Sequence, residues 1–303
     1  MRARYCLEFC RLAGAAALFL PILLTGCSLL PTTRKLPMPK PPLITQTVEP
    51  EDLVTRLNER SDALHTITAT VNMQLSVLKS KEGVATDYTT IPGLILMRKP
   101  EMLRVYGRVP VLGTRMFDMV GDGKKVTMYI PSRNKEYKGS YTVKKKSASL
   151  VENMRPGFFL DAMVVRGLEP DDLYQVTADT ITVEDAAKKH LYSVPEYILN
   201  ISRRKAGSQE LIPLRVITFH RDDLQPYEQD IYDSEGNLET QVSYARYQNF
   251  DSNMYPSVIT IKRPLDEFQI VLTINKVVEN QSLKDDQFVI DNIPEGTTIQ
   301  NLE

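Results

Sequence analysis

The chain has 303 residues, and 37 lysines and arginines stand against 38 aspartates and glutamates for a formal net charge of −1. That balance excludes a basic nucleic-acid surface. All three cysteines, Cys6, Cys10 and Cys27, lie near the amino terminus, so no disulfide framework or cysteine–metal site can hold the rest, and a hydrophobic core must do so.

Arg2, Arg4 and Arg11 precede an apolar run that begins near Leu12 and is interrupted by Pro21. A basic start, a short apolar segment and small residues make an export signal, and the run is shorter than the ~20 residues a spanning helix needs. Its ending, Leu24-Thr25-Gly26-Cys27, resembles the lipobox of bacterial lipoproteins. The resemblance implies a signal peptide over 1–26, cleavage before Cys27, lipidation of its thiol and palmitate-type acylation of the new amino terminus. Cys6 and Cys10 would leave with the signal. Ser28 after the cysteine implies sorting to the outer membrane, with the chain anchored there and facing the periplasm.

Residues 27–50 are rich in proline (Pro31, Pro37, Pro39, Pro41, Pro42, Pro50), which favours an extended spacer over helix or sheet. Residues 51–64 predict a helix. Pro50 suits its first turn, Glu51 and Asp52 complement the dipole, and Leu53, Val54, Leu57 and Leu64 form one stripe. The period then switches to two: Ile67, Ala69, Val71, Met73, Leu75 and Val77 alternate with polar residues, a strand with one apolar face. Further strands are expected over 94–98, 102–107, 115–120, 125–130, 174–183, 197–203, 214–220, 229–232, 238–247, 258–261 and 268–278. Asp122-Gly123 and Ser234-Glu235-Gly236-Asn237 supply tight-turn chemistry between them.

About eleven or twelve strands joined by short turns imply an antiparallel meander. It is broken at 149–166, where Leu150, Met154, Phe158, Phe159 and Met163 surround Pro156-Gly157 and predict two short amphipathic helices or one broken one. Lys144-Lys145-Lys146 reads as a solvated loop. The fold expectation is mainly β (α+β): one curved sheet, with helices covering its concave face, over 51–303.

Three segments taken together carry a family resemblance: Met97-Arg98-Lys99-Pro100-Glu101-Met102-Leu103-Arg104, Asp122-Gly123-Lys124, and Val126-Thr127-Met128-Tyr129-Ile130-Pro131. In this order they resemble the bacterial outer-membrane lipoprotein-sorting superfamily, which contains the periplasmic lipoprotein carrier and the outer-membrane lipoprotein receptor. The closing Asp286-Gln287-Phe288 through Ile293-Pro294-Glu295-Gly296 is similar to the carrier's ending. The resemblance implies an incomplete antiparallel β-barrel whose concavity holds acyl chains of a client lipoprotein. It also favours the receptor, itself a lipoprotein, over the soluble carrier. The receptor projects a leucine from a hairpin tip, which maps here to Val109-Pro110-Val111-Leu112-Gly113-Thr114. Val111 and Leu112 are the expected membrane-insertion loop. The carrier's arginine that holds its lid corresponds to Lys99, a departure from a carrier-type lid lock.

Methionine is unbranched and adaptable, which suits a site for acyl chains of variable shape. Met73, Met97, Met116, Met128, Met154, Phe158 and Met163 are the candidate cavity residues, with Met154, Phe158, Phe159 and Met163 also candidate lid residues. For any one of these methionines an ordinary core position is the stronger reading, and their clustering adds only modestly to the case for lipid. His65, His190 and His220 fall in no metal-binding spacing, Gly121-Asp122-Gly123-Lys124 lacks phosphate-loop spacing, and no nucleophile elbow occurs. No metal, no catalytic residue and no cofactor beyond the covalent lipid on Cys27 are expected. The expected role is a non-enzymatic, membrane-anchored binder that accepts acylated lipoproteins, from a periplasmic carrier among other sources, and inserts them in the outer membrane. An envelope-stress or lipid sensor with a protein partner, or a structural lipoprotein of an envelope complex, are the alternatives.

Overall fold

The structure is a computed structural model that describes residues 45–79, 82–141, 150–185, 190–251 and 253–302. Cys27, the expected signal, most of the proline-rich spacer and the Lys144–Lys146 run lie outside the described residues. Among the described residues there are three α-helices: α1 (Pro50–Ala63), α2 (Leu150–Asn153) and α3 (Pro156–Met163). The strands of the first half are β1 (Thr66–Lys79), β2 (Val84–Asp87), β3 (Ile91–Arg98), β4 (Met102–Arg108), β5 (Arg115–Asp122), β6 (Lys125–Ile130) and β7 (Lys135–Ser140). Those of the second are β8 (Asp172–Asp185), β9 (His190–Arg204), β10 (Leu211–His220), β11 (Pro226–Tyr232), β12 (Leu238–Phe250), β13 (Asn253–Arg263), β14 (Phe268–Glu279) and β15 (Thr298–Asn301).

All fifteen strands form one sheet in the order β15-β7-β6-β5-β4-β3-β1-β14-β13-β12-β11-β10-β9-β8, with β2 paired to the end of β1. The sheet does not close: β15 and β8 are its edges. Two meanders meet where β1 pairs antiparallel with β14, Ile67 opposite Glu279 and Val77 opposite Phe268. That pairing joins the start of the folded part to its end. It places the apolar faces of both halves on one concave surface.

Three strands go beyond the sequence expectation, and so does one pairing direction. β7 carries Tyr137 as its one large apolar side chain, so no alternation marks it, yet Tyr137 is fully buried. β2 is exposed throughout and β15 has four residues, too little for a periodic signal. β15 also pairs parallel to β7, Thr298 opposite Lys135, correcting the expectation of a purely antiparallel meander. Parallel pairing needs a long connection, and here the whole second half of the chain supplies it, since β8 to β14 and the segment after β14 all lie between β7 and β15 in sequence. The β6–β7 and β13–β14 connections are single 3₁₀ turns, Pro131–Arg133 and Pro264–Asp266, each opened by proline and closed by a left-handed residue, Asn134 or Glu267.

The concave face holds the core. Phe158, Phe159, Leu160 and Met163 of α3 pack on Ile67, Ile95, Leu103, Met119, Phe268 and Leu272 from the middle of the sheet. Phe158 stacks on Phe159 at 4.5 Å and meets Phe268 edge-on at 5.7 Å. Leu53, Val54 and Leu57 of α1 cover Leu199, Ile201, Ile217 and Phe219 on β9 and β10. A single layer of sheet leaves an apolar face in water unless something covers it, and the helices do so here.

The convex face carries a second apolar patch, Leu94, Leu96, Met102 and Val120, covered by Leu283 and Phe288 from the segment after β14. Charge pins this strap. Arg98 reaches Asp285 at 2.6 Å, Arg104 donates to the Gln287 carbonyl at 2.9 Å, and Arg115 reaches Asp291 at 3.1 Å. Beneath it lies Asp118, fully buried, whose carboxylate accepts from Arg104 at 2.7 and 3.0 Å. The segment 45–49 also packs back on the fold: Gln46 N–H donates to the Arg221 carbonyl at 2.6 Å and Val48 N–H to the Tyr197 hydroxyl at 3.2 Å.

Candidate functional site

Period two along β1 turns Met73 and Leu75 inward. β3 adds Ile91, β6 adds Met128 and Ile130, and β14 adds Ile270, all on the concave side near one rim. The register shifts between Gly107 and Arg108 of β4, where Phe117 and Met116 of β5 both reach the same space. Met154 and Phe159, from the helical insert, form the opposite wall. Together these side chains enclose an apolar cavity of about 540 Å³, within the ~300–1,000 Å³ typical of ligand sites. Its mouth is marked by Tyr88, Thr89, Ser132 and Arg133, so it opens at the rim that bears the β4–β5 and β6–β7 turns.

The structure brings together four of the seven candidate residues. Met73, Met116, Met128 and Met154 line this cavity. Phe158 lies in the core between Phe159 and Phe268. Met97 and Met163 face other spaces: Met97 a polar cleft beside Lys99 and Arg166, Met163 a smaller cavity beneath α1. Leu75, Ile91, Phe117, Ile130 and Ile270 complete the wall without having been singled out. The parity of their strands was the available signal, since each shares a face with a residue of the predicted apolar stripe.

The β4–β5 tip at the same rim is closed by Val109 N–H donating to the Thr114 carbonyl at 2.8 Å and Gly113 N–H to the Val109 carbonyl at 2.9 Å. Its two apolar side chains do not fold back. Leu112 is 74% exposed and Val111 is 105% exposed, and Val111 sits at φ 67°. A β-branched residue is a genuine outlier there. Arg108 and Arg115 flank the tip, both over the Tyr106 ring.

The second cavity, about 240 Å³, lies between α1 and β10–β13 and opens at the opposite rim, beside the β10–β11 turn. Its tyrosine hydroxyls are used by the protein: Tyr255 donates to the Met163 carbonyl at 2.7 Å, and Tyr247 to the Pro226 carbonyl. Burial pushes the phenols of Tyr244, Tyr247 and Tyr255 well above their ordinary range. Lys99 ties down a helix, though it is α1: its ammonium donates to the Ser61 carbonyl and, at 3.3 Å, to the Ser61 hydroxyl. Partial burial lowers its pKa, opposed by Asp62.

Among the described residues no three His, Cys, Asp or Glu side chains are grouped to hold a metal ion, and no helix is long and apolar enough to cross a membrane. His220 stacks on Tyr227 at 3.9 Å. The backbone N–H of His65 donates to the Asn280 side chain at 2.7 Å.

No protein-family model matches the sequence, and no curated protein matches it. Among solved structures, a DUF1329 family protein from Desulfovibrio piger overlaps 78% of this chain and 95% of its own, with a TM-score of 0.50 at 16% identity. That likeness shows a shared fold. A LolA superfamily protein from Nitrosomonas europaea overlaps 81% of this chain and 99% of its own, with a TM-score of 0.48 at 14% identity. A domain assigned to outer membrane lipoprotein sorting, from Vibrio parahaemolyticus, overlaps 78% and 94%, with a TM-score of 0.48 at 12% identity.

Proposed function

We propose that the protein is a non-enzymatic binder of acyl chains, anchored by lipid on Cys27 to the outer membrane and facing the periplasm. It accepts acylated lipoproteins from a soluble carrier and releases them into the bilayer. The observation that carries this reading is the 540 Å³ cavity, walled by methionine and branched apolar side chains and open at the rim of the Val111–Leu112 tip. An acyl chain could then pass from cavity to membrane with little exposure to water.

The energetics suit transfer. Burying ten methylenes contributes about 8 kcal/mol at ~0.8 kcal/mol each. Association costs at least ~4 kcal/mol, so the net affinity stays modest and a bilayer, which can bury the whole chain, takes the client. No nucleotide is needed for a transfer that runs down an affinity gradient.

The test is a titration of the Cys27→Ala chain, lacking residues 1–26, with a triacylated lipopeptide and with the same peptide lacking acyl chains. Saturable binding of the acylated peptide alone supports the reading. Equal binding of both, or of neither, refutes it and favours a structural role. Leu112→Glu is expected to keep lipopeptide binding and lose delivery to vesicles.

A further inference from the structure

The two edges of the sheet are finished differently. β15 ends one edge with four residues. β8 ends the other with fourteen, Asp172–Asp185, and among the described residues nothing pairs with its outer side. An edge strand leaves alternate N–H and C=O groups free to pair with another extended chain, and proteins usually blunt it with proline, charged side chains, bulges or shortness. Of these β8 has only acidic side chains: it contains no proline, glycine or lysine, it pairs with β9 without a register shift, and Val176, Thr177, Thr180, Ile181, Thr182 and Val183 give it strong strand character. Beyond Pro195, whose carbonyl accepts from Arg221 N–H at 3.0 Å, the β8–β9 ribbon continues without β10, so this end of the edge extends past the rest of the sheet.

The charges say what fits. Asp172 is bonded to Arg203 at 2.7 Å, while Asp179 and Glu184 are exposed and no basic side chain lies on the strand. A second copy is a poor occupant: antiparallel pairing over 172–184 sets Asp172 against Glu184, and pairing centred on Asp179 sets it against itself. Like charges directly opposite are destabilising. We infer that the β8 edge is a docking site for an extended basic segment of another polypeptide, which adds a strand to the sheet. Val176 shares the α1 side with Leu199, so alternation puts Asp179, Ile181 and Val183 on the outer side and Glu184 on the inner one. An antiparallel partner then needs a cation opposite Glu184, apolar residues opposite Val183 and Ile181, and a cation opposite Asp179, as in Lys-Val-Thr-Val-Thr-Lys. The inference does not depend on the cavity's binding lipid.

The test uses the full chain in non-ionic detergent and fluorescein-labelled peptides containing that six-residue core, read by anisotropy. The basic peptide is expected to saturate. Its Glu-Val-Thr-Val-Thr-Glu counterpart should bind at least about tenfold more weakly. Of two basic peptides N-methylated at alternate residues, only the one that blocks edge-facing groups should lose binding. The Asp179→Lys/Glu184→Lys chain, changed at exposed positions and expected to melt as the parent does, should prefer the acidic peptide. Failure of every peptide to bind at about 1 mM overturns the inference. So does binding that survives both N-methylation patterns or the charge reversal. Self-association of the parent chain, abolished by the same reversal, would give the edge to a second copy and likewise overturn it.

Discussion

Val111→Asn at the β4–β5 tip is expected to raise folding stability and to weaken membrane binding. Val111 is 105% exposed, so it contributes no burial to the fold, and φ 67° places a β-branched residue in the left-handed region. That conformation costs about 1–2 kcal/mol, and asparagine tolerates it far better. The substitution should therefore raise unfolding free energy by about 1 kcal/mol, or Tm by about 2–4 °C for a domain of this size. If the tip enters a bilayer, losing the valine side chain removes about 1.5–3 kcal/mol of apolar transfer, and partition falls by about ten- to a hundredfold. The assay pairs a thermal melt with vesicle flotation, both on a Cys27→Ser chain so that the lipid anchor does not mask the loop. A lower Tm would mean that Val111 packs against the fold. An unchanged partition would mean that the tip does not enter the membrane. Either result refutes the reasoning; only opposite signs in the two measurements sustain it.

Asp118→Ala removes the fully buried acceptor of Arg104 and should destabilise by about 3–5 kcal/mol, with the strap at 283–291 gaining hydrogen exchange before the sheet does; unchanged protection there would refute the strap's dependence on this pair. Gly93→Ala puts a methyl group against the Met73 side chain and 2.7 Å from the Tyr106 carbonyl oxygen. It should cost about 1–3 kcal/mol and lower lipopeptide affinity by displacing a wall of the cavity; normal affinity in a destabilised chain would separate the cavity from binding. The phenols of Tyr244, Tyr247 and Tyr255 are raised in the fold, so the unfolded chain loses its protons first. The stability they hold is complete below about pH 10 and lost above it, by up to about 1.4 kcal/mol per pH unit for each tyrosine. With no tryptophan in the chain, tyrosinate absorbance reports this directly, and the share contributed by these three buried phenols should rise only together with loss of the sheet signal. Ionisation of all the tyrosines near pH 10 in an intact fold would refute it.

Local pattern made much of the architecture legible. The period-two run of β1, the stripe of α1 and the break at Pro156 each follow from short-range sequence, because side-chain alternation and capping act over a few residues. β7 and β15 escaped for the same reason in reverse: Lys135–Ser140 has one large apolar side chain, and Thr298–Asn301 becomes a strand only because β7 offers it an edge. The cavity was legible only in composition. Met73, Met97, Met128 and Met163 carry the same chemistry, and nothing local distinguishes those that line it from those that do not.

By itself, then, the sequence determined most of the strands, which face of each of these is apolar, and that the apolar side would need helices over it. Tertiary structure decided which of those faces meet. The β1–β14 pairing places Met73 beside Ile270, the register shift at Arg108 admits Met116 to the cavity, and the strap after β14 closes the convex patch and leaves β8 as the long edge. Alternation is a property of neighbours along the chain, whereas a cavity wall, a buried ion pair and an edge are relations between residues far apart in it, settled when the sheet assembles.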